Sequence, residues 1–309
     1  MAFQVKKAKR EKIYPKIALI APSGGGKTYG SFRLATGMAE EIKNQTGKDA
    51  RILMANTEAK RGYYYANEFD YDIVDIDPPH NPEKYVELIE FAVQEGYDIL
   101  IIDSASHEWE GKGGCLELHQ QAGGTYQSWS RVTPRHNKFI NAIADSPISI
   151  IATMRGKDQY EMNKDDKGKT SVQKLGVGAK QREGFEYDFT VTFLIDQKTN
   201  TATVQKDNTH IFDQEGPTIL SEAHGRKIMQ WANSGEGYTP IVRKDDEAPV
   251  DELKSLKSQI VAVAKSAGGT KNESVMSIIT KYVPSGNPNA VSDVEAAKAM
   301  LAELKSLSK

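Results

Sequence analysis

"IALIAPSGGGKTYGSF", residues 17–32, joins an apolar run to three successive glycines and then to a lysine–threonine pair. Glycine weakens strand and helix interiors alike, so such a run marks the seam between two elements. Upstream, "KIALI" reads as a short buried strand. Downstream, Phe32, Leu34, Ala35, Met38, Ala39 and Ile42 recur near helical spacing, and Gly47 offers a stop. "APSGGGKT", residues 21–28, is a Walker A pattern with Ala21 where a glycine is usual. Residues without a Cβ let backbone N–H groups converge on phosphate oxygens, and the following helix directs its positive end at the same anion. Pro22, Ser23, Gly24, Gly25, Gly26, Lys27, Thr28 and Tyr29 are therefore expected to cradle a nucleoside triphosphate. Lys27 should reach the β- and γ-phosphates, and the Thr28 hydroxyl should be a ligand of Mg²⁺. Position 21 mainly needs a small residue, so Ala21 is a mild departure.

Outward from this loop, apolar segments alternate with helical ones. "RILMANTE", "YDIVDI", "YDILIIDSAS" and "SPISIIATMRG" read as strands, with an amphipathic helix "PEKYVELIEFAVQEG" between the second and third. Strands that are apolar throughout and alternate with helices argue for a parallel sheet covered on both faces. After residue 185, "YDFTVTFLID" and "TATVQKD" flank "QKTN" as an antiparallel hairpin, and "GPTILSEAHGRKIMQWANSG" holds a closing helix. The expected fold class is thus α/β: a P-loop core with a mainly parallel sheet between helices, an appended hairpin and a small C-terminal helical module. We assign residues 1–12 to a basic arm, 13–235 to the core, 236–250 to a linker and 251–309 to the module. The module contains three helical segments, the last opened by a capping box of Ser292 and Glu295.

Asp103 ends the most apolar strand, 75 residues after Thr28, and is the companion carboxylate that holds Mg²⁺ through water. Hydrolysis also needs a group to orient or deprotonate the attacking water. Glu58, Glu108 and Glu110 are the candidates that follow strands. Composition adds boundaries. The 309 residues carry a formal charge of −2, so any nucleic-acid surface has to be local. Cys115 is the single cysteine, which excludes an internal disulfide and a cysteine-rich zinc site. No apolar run approaches the ~20 residues of a membrane span, and no membrane partner is expected. His107, His119 and His136 show no ligand spacing and read as ordinary polar residues.

The strand ending in Glu58, followed by "IIDSAS", resembles the RecA-type recombinase core. "APSGGGKTYGSF", "NTEAKRGYYY", "ILIIDSASHEW", "IIATMRGKDQY" and "QREGFEYDFTVTFLID" together resemble a group of phage RecA-like ATPases linked to single-strand annealing and recombination, over roughly residues 13–235. The resemblance implies ATP rather than GTP as substrate, with Mg²⁺, and a cytoplasmic protein of a bacterial host. It implies Glu58 as the water-activating group, with Glu108 as second choice, and Thr153 as a polar γ-phosphate sensor on a strand between the two Walker strands. Arg155 and Lys157 follow at once and could stabilise the transferred phosphoryl, with Lys180 and Arg182 as rivals acting across a subunit boundary.

The resemblance also implies two DNA-facing loops, residues 111–138 and 155–184, in a homo-oligomer that is a ring or a filament. The first carries Tyr126, Trp129, Arg131 and Arg135. The second, with Lys174, Lys180 and Arg182, holds eight cations against five anions. Aromatics beside cations suit a single strand, because every base has a face to stack on. "RGYYYANEF", residues 61–69, could stack on a base, though packing is expected for at least two of its tyrosines. The helical module is expected to bind a partner, such as single-stranded DNA or a single-stranded-DNA-binding protein. An alternative is a nucleotide-gated switch or scaffold that acts through protein contacts with little turnover.

Overall fold

Strand β1 (Lys16–Ala21) is buried along its whole length, which explains why "KIALI" shows no alternation of polar and apolar residues. Ile17, Leu19 and Ala21 join one apolar cluster, while Ala18 and Ile20 join another on the opposite face. The computed structural model describes residues 7–164, 170–235, 248–269, 272–283, 286–291 and 293–307; of these, 158–164, 170–176, 248–255, 258 and 289 are described by backbone alone. The chain divides into two compact units, residues 1–241 and 242–309.

In the larger unit, β1 leads through the glycines into helix α1 (Lys27–Thr46), which stops at Gly47 in the left-handed conformation, φ 74°. Then follow β2 (Ile52–Asn56), β3 (Asp72–Asp75), α2 (Pro82–Gln94) and β4 (Ile99–Asp103). Two short helices, α3 (Ser106–Glu110) and α4 (Cys115–Gln121), precede α5 (Trp129–Asp145). The unit closes with β5 (Ser149–Lys164), β6 (Thr170–Ala179), β7 (Val191–Ile195), β8 (Ala202–Asp207) and α6 (Glu222–Ala232). The sheet order is β3-β2-β4-β5-β1-β7-β8. Every pair in it is parallel except β7 with β8. β5 lies between β4 and β1, as the resemblance implied, so Asp103 at the end of β4 sits beside Thr153 within β5, next to the glycine loop.

Helices α1 and α6 cover one face. Their crossing is close because glycines meet backbone: a Cβ on Gly37 would lie 1.9 Å from the Glu222 carbonyl oxygen, and one on Gly225 2.1 Å from that of Leu34. Helices α2 and α5 cover the other face, around Tyr85 and Phe139.

Two expectations need correction. Residues 111–138 are not one loop; α4, a 3-10 turn at Tyr126–Ser128 and the first turns of α5 occupy most of the segment, because its apolar and aromatic residues recur at helical spacing. Residues 155–184 are mostly the β5–β6 hairpin, paired antiparallel from Gly156 with Ala179 to Lys164 with Thr170. In the basic arm, the Arg10 guanidinium donates to the Trp231 carbonyl at 2.6 Å and lies over the indole.

The smaller unit packs α7 (Ala248–Ser266), α8 (Glu273–Tyr282) and α9 (Val294–Ser306) around Ile260, Val275, Ile279, Met300 and Leu304. Helix α7 begins inside the expected linker, whose residues 236–247 lie outside the described ones. Ser292 also lies outside them, and Asp293 supplies the α9 cap by accepting from the Ala296 N–H.

Candidate nucleotide site and aromatic cleft

The glycine loop has the conformation its composition requires. Gly24 and Gly26 sit at φ 80° and 84°, where a side chain is strained. Gly25 is needed for a different reason: its Cβ would come within 2.8 Å of the Ala21 Cβ. The methyl group that Ala21 adds is therefore accommodated by the one Gly25 lacks. Gly156 serves the neighbouring strand in the same way, since a Cβ there would reach 3.0 Å from the Ala21–Pro22 backbone. The Lys27 ammonium curls over the loop and donates to the carbonyls of Ala21 and Pro22, each at 3.0 Å. Burial lowers its pKa, against the opposing charges of Asp103 and Glu58.

Asp103 is 4 % exposed. One carboxylate oxygen accepts from the Thr28 hydroxyl at 2.6 Å, and the other accepts from the Thr153 hydroxyl. Burial pushes its carboxyl up, although both hydroxyls hold it down. A buried carboxylate satisfied by hydroxyl groups, beside a threonine at the mouth of an anion cradle, is a hard-oxygen donor set that fits Mg²⁺. The ends of β2 and β4 are laced together by Thr57: its N–H donates to the Asp103 carbonyl at 2.8 Å, and its hydroxyl lies 2.6 Å from His107 Nδ1. That lacing sets Glu58 beside Asp103.

Glu58 is held by two arginines. One carboxylate oxygen accepts from Arg155 Nη2 at 2.7 Å and Nε at 3.0 Å, the other from Arg61 at 2.8 Å. Burial opposes its ionisation, but Arg155, then Arg61 and His107, outweigh this and hold the carboxyl below its usual range. Lys27, Thr28, Glu58, Asp103 and Arg155 line one pocket of ≈ 370 Å³ with Ser23, Gly24, Gly26, Arg61, Tyr64 and Tyr65. Arg155 thus belongs to its own chain's pocket. Pro22 and Gly25 shape the loop from behind. Tyr29 does not line the pocket; its ring packs on Tyr65 and Phe69 at 5.8 and 5.4 Å. Of the expected packed tyrosines only Tyr65 joins the core; Tyr63 is 44 % exposed and bonded to Asp75, and Tyr64 is 72 % exposed at the pocket.

The other glutamates face elsewhere. Glu108, fully buried, accepts from Cys115 Sγ at 3.0 Å, His136 Nδ1 at 3.0 Å and Gln181 Nε2 at 3.1 Å. It knits α3, α4, α5 and the segment after β6 together and does not reach the pocket. His136 is fully buried in this cluster, while His107 is bonded to Thr57 instead. Sequence reasoning missed this cluster because its members come from four separate segments. Glu110 lies 3.7 Å from Arg155 and 3.5 Å from Lys180.

A second, larger cleft of ≈ 960 Å³ is lined by Trp109, Tyr126, Trp129, Pro134, Arg182 and Glu183, among others. The Trp109 and Trp129 rings stack at 5.5 Å with 9° between planes, and His119 stacks on Trp129 at 4.0 Å. Tyr126 is 90 % exposed. Arg131 is exposed on α5 but does not line the cleft. Arg135 does not serve it: it grips Glu83 through two bonds at 2.6 and 2.7 Å, tying α5 to α2. The side chain of Lys174 lies outside the described residues.

A strand–glycine loop–helix with Lys27 and Thr28, and Asp103 ending a parallel strand two places away in the sheet, define a P-loop nucleotide-binding domain. The chain belongs to a family described as AAA domain, whose model matches residues 13–219, and it is in this sense an AAA-type P-loop ATPase domain. No curated protein matches the sequence. No helix among the described residues is long and apolar enough to cross a membrane.

Proposed function

We propose that the protein hydrolyses ATP with Mg²⁺ while bound to single-stranded DNA, in phage-type recombination or strand annealing, as a homo-oligomeric ring or filament. The observation that carries the hydrolytic part is the placing of Glu58 and Arg155 in one pocket with Lys27, Thr28 and Asp103. The loop amides and Lys27 bind the phosphates, and Thr28 with Asp103 holds Mg²⁺, which when bound neutralises charge on the β- and γ-phosphates. Thr153 keeps the Asp103 carboxylate oriented through its hydroxyl. Glu58 accepts a proton from, or orients, the attacking water once its arginines release it. Arg155, turned to the γ-phosphate, stabilises the charge that develops there. Support for the DNA part is the cleft of indoles, tyrosine and Arg182, a combination that suits unpaired bases. In this reading the C-terminal module recruits single-stranded DNA or a protein that coats it.

The double clamp on Glu58 favours a second reading, a nucleotide-gated switch that turns over slowly. ATP turnover with and without an unstructured oligonucleotide, with Lys27→Ala as baseline, separates the two. Acceleration by DNA is expected. ATP binding with slow, DNA-indifferent turnover would favour the switch.

A further inference from the structure

Helix α3 touches both sites with successive residues. His107 is bonded to Thr57 beside the phosphate pocket, Trp109 lines the aromatic cleft, and Glu110 lies between Arg155 and Lys180. Between them, Glu108 accepts three hydrogen bonds from α4, α5 and the segment after β6, which tie the helix to the walls of the cleft, while the Arg155 N–H donates to Ser106 Oγ at 3.0 Å and holds its first turn to β5. Arg155 therefore has two carboxylates to choose from: Glu58, in contact at 2.7 Å, and Glu110, just beyond hydrogen-bond reach at 3.7 Å. A displacement of the C-terminal end of α3 of about 1 Å toward Arg155 brings Glu110 into bonding distance of Nη1, the nitrogen that does not hold Glu58, and draws the guanidinium toward α3.

We infer that Glu110 is a positioning residue that couples the aromatic cleft to the nucleotide pocket: a base in the cleft displaces Trp109, α3 carries Glu110 toward Arg155, and the Glu58 oxygen that Arg155 holds is freed to act on water. This rests on the reading of the protein as a DNA-dependent ATPase and adds the route of its regulation. The occupant is an unpaired base of a single strand. Tyr126 offers both ring faces, the Trp109–Trp129 stack forms a wall, and Arg182 at the rim matches a phosphate, with Glu183 the one opposing charge in the lining. Coupling is reciprocal, so nucleotide in the pocket must also be felt at the two indoles.

The chain has three tryptophans, so Trp231→Phe leaves Trp109 and Trp129 as the only indole reporters. In that background we expect a Mg²⁺-bound, non-hydrolysable ATP analogue to change the tryptophan emission, and an oligonucleotide to raise ATP turnover by roughly 5- to 100-fold, the range of ordinary allosteric couplings. Adding Glu110→Gln should abolish both responses while fluorescence-anisotropy binding of a labelled oligonucleotide persists. Emission indifferent to the analogue, or both responses surviving Glu110→Gln, overturns the relay. An analogue response that depends on Glu110 without any effect of oligonucleotide upholds the relay and instead sinks the DNA-dependent function.

Discussion

Arg155 donates to a single carboxylate oxygen of Glu58 through both Nη2 and Nε, at 2.7 and 3.0 Å. A carboxylate held this way is ionised but engaged, and it cannot take a proton from water until the arginine turns away. Glu58→Gln keeps the shape and removes the base. Turnover should fall by about 10²–10⁴, the usual contribution of a positioned general base, while nucleotide affinity changes little. Single-turnover kinetics beside equilibrium nucleotide binding decide it; hydrolysis at the native rate would remove Glu58 from this role.

The glycine loop makes a pairwise prediction. Gly25→Ala should weaken nucleotide binding, because the new methyl group meets that of Ala21 at 2.8 Å. Ala21→Gly added to it should recover part of the affinity, the Pro22 carbonyl remaining at 3.2 Å. Calorimetric titration of both variants tests this. Equal losses would mean that the two positions do not share space.

The α1–α6 crossing should tolerate no side chain on its glycines. Gly225→Ala puts a Cβ 2.1 Å from the Leu34 carbonyl oxygen, backbone that cannot step aside. We expect a loss of roughly 3 kcal/mol, at the upper end for overpacking. Urea denaturation followed by circular dichroism measures it, and a change below about 0.5 kcal/mol, the scatter of surface substitutions, would contradict so close a crossing.

His80 predicts an acid limb of the stability profile. It is buried, its Nδ1 has no hydrogen-bond partner, and its ring stacks on His107. Burial first, then the charges of His107 and Lys84, push its pKa from 6.5 down to about 4. Between these values the unfolded chain binds a proton that the native one does not. Stability therefore falls as pH drops from 6.5 to 4 and levels off below, by roughly 3 kcal/mol from this residue. His80→Asn should flatten that part of the curve, measured as unfolding free energy at intervals from pH 7 to pH 4. A variant curve parallel to the native one would refute the assignment.

Much of this protein is written locally. The strand–glycine–helix seam at residues 17–32, the buried strand ending in Asp103, the β7–β8 hairpin and the Gly47 stop each depend on neighbours a few residues away, so spacing alone reveals them. Thr153 came into view only through resemblance, which supplied the strand order that sets it beside Asp103. The partners of charged side chains were not legible. Arg135 reads as a cation available to DNA, and only the packing of α5 on α2 gives it to Glu83. Glu108 reads as a candidate base, and only the convergence of Cys115, His136 and Gln181 buries it as a structural anchor. By itself the sequence determined that this chain builds a phosphate cradle on a parallel sheet, because backbone conformation and burial period are properties of short stretches. The tertiary structure alone decided that Arg155 holds Glu58 and that Trp109 and Trp129 stack, because those contacts join residues far apart in the chain whose meeting depends on how every intervening element packs.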